Sequence, residues 1–326
     1  MKQVIFRLAC AIALVVPALS ALAQTYPDKL ITILIPYPPG GGADVPLRNL
    51  QPGLQAQLGQ PVIIDNLPGA GGSIGVMRVL ASAPNGYTVL AHSAPDLVLA
   101  PLSLAAAKYD PNQLRMIAPI GAADFVLVSS TRLSFKNIDE LLAYAQQPGS
   151  KELSFGHWGR GSTPHIAGAD LQHRSNVKFL EVPYKGMSPI IPDLIGGQVD
   201  LTFLPLAGPT LGLIKSGKVR AIGLAAAQRA PDLPDVPTLN EGTMIKGFEH
   251  QVWTGVFVDR KVGDAEVAKL AQAINTQVKT PEYLKFLREG GSRGFGTMAV
   301  AQAEEYFKKE AKRLTEIARQ IRLQPE

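Results

Sequence analysis

Leu30-Ile31-Thr32-Ile33-Leu34-Ile35-Pro36-Tyr37-Pro38-Pro39-Gly40-Gly41-Gly42-Ala43-Asp44 passes from an unbroken apolar run into prolines and glycines, and helical spacing begins directly after it. An apolar run without polar alternation reads as a strand buried on both faces, as in a parallel sheet. Residues 36–44 form a loop, and residues 45–58 repeat apolar side chains at helical intervals. A helix start leaves backbone N–H groups unpaired and carries a partial positive charge, so it receives anions without a basic side chain. Glycines let the backbone come close to such an anion. The same unit recurs later: Leu153-Ser154-Phe155 as a strand, a Gly-rich loop, and a helix from Pro164. Two such loops facing each other across a cleft would hold a small anion between two lobes, at the strand ends where open α/β sheets place ligands.

Outward from these units, strand patterns at 61–64, 87–90, 125–128, 177–182, 199–203, 219–224 and 251–258 alternate with helical ones at 74–81, 137–146, 265–277 and 301–322. The alternation predicts an α/β protein with mostly parallel sheets.

The first residues read as an export signal: Lys2 and Arg7, an apolar stretch over 8–16, then Ala21-Leu22-Ala23 as a cleavage pattern near Ala23. The apolar stretch is too short to span a bilayer. The single cysteine, Cys10, lies inside it, so the exported chain has no thiol for catalysis, disulfides or metal binding. About 300 residues bury enough apolar surface without such staples. Cleavage leaves 30 basic against 27 acidic residues, a net +3. No basic block is present, which argues against nucleic acid as a partner. No His-x-x-x-His pair occurs, and His165 and His173 lie about 12 Å apart along a helix, so no metal is expected. No Gly-Lys-Ser/Thr follows the glycines, which excludes a P-loop. No cofactor is expected.

Nine stretches, in order along the chain, resemble the Bug family of substrate-binding proteins of tripartite tricarboxylate transporters. They are Tyr26-Pro27-Asp28-Lys29, residues 35–44 quoted above, Leu58-Gly59-Gln60-Pro61-Val62, Asn66-Leu67-Pro68-Gly69-Ala70-Gly71-Gly72 and Ala83-Pro84-Asn85-Gly86-Tyr87-Thr88, followed by Gly161-Ser162-Thr163-Pro164-His165, Val182-Pro183-Tyr184-Lys185-Gly186, Gly196-Gly197-Gln198-Val199-Asp200 and Leu233-Pro234-Asp235-Val236-Pro237-Thr238. The resemblance implies a two-lobed type II periplasmic-binding-protein fold with the ligand cleft between lobes. It implies a non-enzymatic, monomeric receptor in the periplasm that hands a small carboxylate to membrane permease subunits. Lobe 1 would comprise residues 24–123 and 236–326, and lobe 2 residues 124–235.

The family's two Gly-rich loops map here to residues 37–44 and 158–163. In the first, Tyr37, Gly40, Gly41, Gly42 and Ala43 are ligand-binding candidates. Asp44 either joins them or caps the helix and holds the loop. In the second, Gly161, Ser162 and Thr163 offer donors at a helix start that Pro164 supports, and Ser162 and Thr163 equally suit an N-cap. His165 reads as a structural donor. His157, Trp158 and Arg160 depart from the family's small or amide residues: a guanidinium grips a carboxylate through two bonds, and an indole is a flat apolar wall. Pro205 stands in an apolar stretch where relatives carry polar residues, and His92 and Ser93 end a strand in the first lobe. These side chains suggest a terephthalate-like dicarboxylate with Arg160 on one carboxylate; an aliphatic di- or tricarboxylate is the alternative. Trp253 reads as a core residue.

Other readings compete. Gly71-Gly72-Ser73-Ile74-Gly75 matches the G-x-S-x-G elbow of a secreted hydrolase, although residues 66–70 separate Ser73 from its strand. Gly69, Gly71 and Gly75 with Asp96 faintly echo a dinucleotide fingerprint with the wrong spacing. A ligand-loaded sensor for a membrane kinase would share the receptor fold.

Overall fold

The computed structural model describes residues 26–207 and 209–325; the export signal read over residues 1–23 lies outside them. The opening strand is β1 (Ile31–Ile35), with all but Thr32 buried, and it pairs in parallel with β2 (Val62–Asn66) and β3 (Thr88–Ser93). The crossover from β1 to β2 is α1 (Asp44–Leu58), whose Leu47, Leu50, Leu54 and Leu58 recur at helical spacing and form its buried stripe. Fully burying one such leucine contributes about 1.5–3 kcal/mol. Gly59, at φ +68°, ends the helix, and its N–H reaches back to Gln55 O. After α2 (Ser73–Leu80), β3 runs directly into α3 (Ala94–Ser103).

A long strand, β4 (Leu114–Ser129, 16 residues), joins the two halves of the sheet. Its first part pairs antiparallel with β9 (Gln251–Asp259), from Leu114 opposite Asp259 to Asp124 opposite Gln251. Its last five residues pair with β7 (Leu201–Pro205), Phe125 opposite Pro205, and the same stretch pairs on its other side with β8 (Arg220–Leu224). The register against β9 slips near Ile117 and Ile120, around Pro119, which has no N–H to give the ladder.

The second half repeats the first. After α4 (Ile138–Ala145), β5 (Ser154–His157) lies between β6 (Leu180–Pro183) and β7, all parallel, with α5 (Thr163–Ser175) and α6 (Met187–Gly196) as crossovers. The path is β2-β1-β3-β9-β4-β7-β5-β6, with β8 beside β4. So β6-β5-β7-β4-β8 copies β2-β1-β3-β9-β4, and the two strand–loop–helix units of the sequence hold equivalent places. The α/β, two-lobed expectation is met.

The second half packs around Phe125, Phe155, Phe179, Phe203 and Phe248. After α7 (Pro209–Lys215), α8 (Asp264–Val278) and α9 (Pro281–Glu289), the chain ends in α10 (Val300–Gln320). It lays Phe307 against Phe257 and Trp253, and Trp253 is a core residue, 1% exposed. Among the described residues, no helix is long and apolar enough to cross a membrane.

Candidate ligand-binding site

Both halves wall a cavity of about 50 Å³. Tyr37, Gly41, Gly42 and Ala43 border it from the first loop, Ser93 from the end of β3, and Trp158 from the second loop. Ile120, Ala122, Ala123, Val252 and Thr254 come from the two strands that join the halves; Met187, Pro205 and Leu287 complete the apolar walls. Among the described residues, no Lys, Arg, His, Asp or Glu borders it. The space suits a small ligand with an apolar body whose polar end meets neutral donors.

The first loop is held from behind. Gly40 sits at φ +78°, a left-handed conformation that favours glycine. Asp44 Oδ2 accepts from Gly40 N–H and from Arg48 Nε, each at 2.9 Å, and Oδ1 accepts from Asn66 Nδ2 at 3.0 Å. Asn66 also donates to Tyr37 O at 2.9 Å. Burial alone would raise the Asp44 pKa, but the bonds from Arg48, Gly40 and Asn66 outweigh it and hold the carboxyl below its ordinary range. Its carboxylate is therefore a bolt for the loop, turned away from the cavity, and not a conventional N-cap, a position Ala43 occupies. Gly41 O accepts the first helical N–H groups, those of Asp44 and Val45. The N–H groups of Gly42 and Ala43 have no acceptor among the described residues and lie beside the cavity.

The second loop is turned differently from what its sequence suggests. Trp158 alone of the candidates at 158–163 reaches the cavity. Arg160, Gly161, Ser162 and Thr163 lie outside its border, as do Gly40, Asp44 and His92 from the first half. Gly161 packs on α3: a Cβ there would lie 2.0 Å from Ser103 Oγ and 3.0 Å from Ala100 Cα. Ser162 donates its hydroxyl to Gly159 O at 2.6 Å, tightening the loop, and makes no side-chain cap. His165 accepts at Nδ1 from Gly161 N–H at 3.2 Å, an acceptor where a donor was expected. Burial lowers its pKa to about 3, so it is neutral.

Asp96, in the first turn of α3, organises these pieces; the sequence named it only in the faint dinucleotide echo and not for a carboxylate site. It is fully buried. Its Oδ1 accepts from the Thr163 N–H at 2.6 Å and from the Thr163 hydroxyl. Its Oδ2 accepts from Trp158 Nε1 at 2.9 Å and from the Tyr37 hydroxyl. Burial raises its pKa above the ordinary carboxylate value despite these four bonds, and raises that of Tyr37 well above 10. The sequence does show Ser93 three residues ahead, whose Oγ caps the Asp96 N–H at 3.4 Å. That spacing predicts a helix cap and nothing more. His92 is buried edge-on to Tyr37, with its pKa lowered by burial to about 3.

The halves also touch beyond the cavity. Ser188 Oγ donates to Pro39 O at 3.0 Å, and a Cβ on Gly186 would lie 2.5 Å from Pro38 Cδ. Ser73 is fully buried and, among the described residues, its hydroxyl has no hydrogen-bond partner and so no base to activate it. Among the described residues, no cluster of His, Cys, Asp and Glu is placed to hold a metal ion.

Residues 47–323 match the family described as tripartite tricarboxylate transporter family receptor. The "UPF0065 protein in tcbD-tcbE intergenic region" of Pseudomonas sp. strain P51 is 32% identical, over 97% of this chain and 94% of that protein. Among solved structures, the periplasmic binding protein BugD superposes with a TM-score of 0.86 at 27% identity, over 92% of this chain and 100% of that one. Rpa4515 of R. palustris, solved with adipate, gives 0.85 at 26%, with the same coverage.

Proposed function

The chain belongs to the tripartite tricarboxylate transporter receptor family, and from that premise we propose that it captures one small carboxylate in the periplasm and delivers it to the membrane components of such a transporter. The family and its structural neighbours are receptors rather than enzymes. The observation that carries the reading is the cavity between the halves, bordered by Gly42 and Ala43, whose N–H groups have no acceptor among the described residues, and walled mostly by apolar side chains. In this reading the ligand's carboxylate accepts from those two groups, with the Ser93 and Thr254 hydroxyls beside it. Its body packs against Ile120, Met187, Pro205 and Leu287. The adipate in the Rpa4515 structure supports a carboxylate ligand with an apolar body. The flat dicarboxylate held by Arg160 loses support, because Arg160 does not border the cavity.

We assign residues 26–123 and 251–325 to one lobe and 124–250 to the other: β4 changes partners between Asp124 and Phe125, and the second boundary moves from the expected 236 because Phe248 stacks on Phe203 and His250 pairs with Asp170. The exported protein acts as a monomer. A thermal-shift screen of mono-, di- and tricarboxylates tests the function. A ligand at a hundred times its dissociation constant stabilises by about 2.7 kcal/mol, a shift of several degrees. No shift with any carboxylate overturns the reading.

A further inference from the structure

We propose that Asp96 stands in for one carboxylate of a two-headed ligand, so that this receptor accepts ligands bearing a single carboxylate on a compact apolar body. The inference rests on the carboxylate reading above and narrows it.

The Thr163 N–H opens α5 and points where a helix start receives an anion. The anion it meets is the protein's own. Asp96 accepts from Thr163 twice, from the Trp158 indole and from the Tyr37 hydroxyl, so one carboxylate gathers donors from both loops. The Thr163 N–H and hydroxyl, the indole and the phenol each have one hydrogen to give, and all four are spent on Asp96. A ligand carboxylate can claim them only by expelling a fully buried aspartate.

Apart from the Ser93 and Thr254 hydroxyls, which stand with the first carboxylate, the cavity's side chains offer only the Ser292 hydroxyl to replace them. Tyr37 and Trp158 form its wall on that side and turn their polar atoms to Asp96 behind them. No cation borders it among the described residues. A second carboxylate would be desolvated with no cation and at most one hydroxyl to pair with it. The first loop keeps the unspent N–H groups of Gly42 and Ala43 beside the cavity. One carboxylate fits there, and the remaining side chains are apolar but for Ser292.

The experiment is calorimetric titration of the purified protein with matched pairs of one body and one or two carboxylates: benzoate against terephthalate, hexanoate against adipate. The expected result is binding of at least one monocarboxylate at least ten-fold tighter than its dicarboxylate partner. Equal or tighter binding of the dicarboxylates overturns this inference and leaves the carboxylate reading standing; binding of none of the four also overturns this inference, and the carboxylate reading then stands or falls on the wider screen above. A second measurement uses Asp96→Ala, which opens a carboxylate-sized gap. Acetate should raise the melting temperature of this variant by more than that of the wild type, which has the single site at the first loop. A folded variant that responds to acetate no more than the wild type overturns the inference; should the variant not fold, the wild-type titrations decide alone.

Discussion

Thr163 presents its backbone N–H and its hydroxyl to the same carboxylate oxygen of Asp96, 67 residues earlier in the chain and on the other side of the cleft. A single side chain thus ties the start of α5 to the start of α3. Because the site is buried, losing one of these donors leaves an acceptor that water does not reach.

Replacing Thr163 with valine removes the hydroxyl and keeps the shape. The expected loss is about 1.5–3 kcal/mol, the range for a hydrogen bond to a charged group. Thr163→Ser, which keeps the donor, should stay within about 1 kcal/mol of wild type. Urea midpoints for the two variants measure the difference; equal midpoints would show that the hydroxyl carries no weight.

Asp44 acts on the ligand only through the loop it fastens. Asp44→Ala releases Gly40 N–H, Arg48 and Asn66 together, and the dissociation constant for the ligand should rise at least about ten-fold, equivalent to about 1.4 kcal/mol. Calorimetry on the variant tests this, and an unchanged constant would mean that the loop keeps its form unaided.

Gly186 has an extended backbone, so alanine costs no strain in φ, yet its Cβ would strike Pro38 across the cleft. Gly186→Ala should hold the halves apart while leaving each intact. Small-angle scattering of the unliganded variant should give a larger radius of gyration than wild type, with weaker ligand binding and a melting temperature within a few degrees. A wild-type radius and affinity would count against a closing motion here.

His92 and His165 are both held neutral by burial, with pKa lowered to about 3 from the ordinary 6.5. Between these values the unfolded chain binds protons that the folded one refuses, so stability falls as pH drops from about 6.5 towards 3. Each histidine contributes a slope of up to about 1.4 kcal/mol per pH unit in that window. The melting temperature measured from pH 7 to 4 should fall, and His92→Gln should flatten the decline. An identical slope in the variant would contradict the assignment.

The β1 loop and its helix were legible because their residues satisfy one local rule each: an unbroken apolar strand, glycines where φ turns positive, leucines at helical spacing. The equivalence of the two halves was legible for the same reason. Helix α3 was not. Pro95 and Pro101 argue against a helix over 94–103, but Pro95 falls in the first turn, where its missing N–H costs nothing. With α3 unread, Asp96 had no position, and its partners lie 59 to 67 residues away in sequence. The strand expected over 177–182 forms at Leu180–Pro183 instead: Val177 and Phe179 are buried ahead of it, while the strand itself is at the sheet edge with Leu180 exposed. At the second loop the residue types promised ligand donors. Which way they face is decided by a carboxylate from another element, and no local pattern records that.

The placement of β9 between β3 and β4 sets an order of events for a protein threaded through a membrane from its N-terminus. Until residue 251 emerges, β3 and β4 each present a bare edge of unpaired amides, the kind of edge on which chains aggregate. Strands β5 to β8 close on the far part of β4 without it. The later half of the sheet can therefore be finished first, and the half formed by the earliest residues waits for the last described strand to arrive. Any holding factor that meets this chain on the far side of that membrane should bind it longest over residues 88–124.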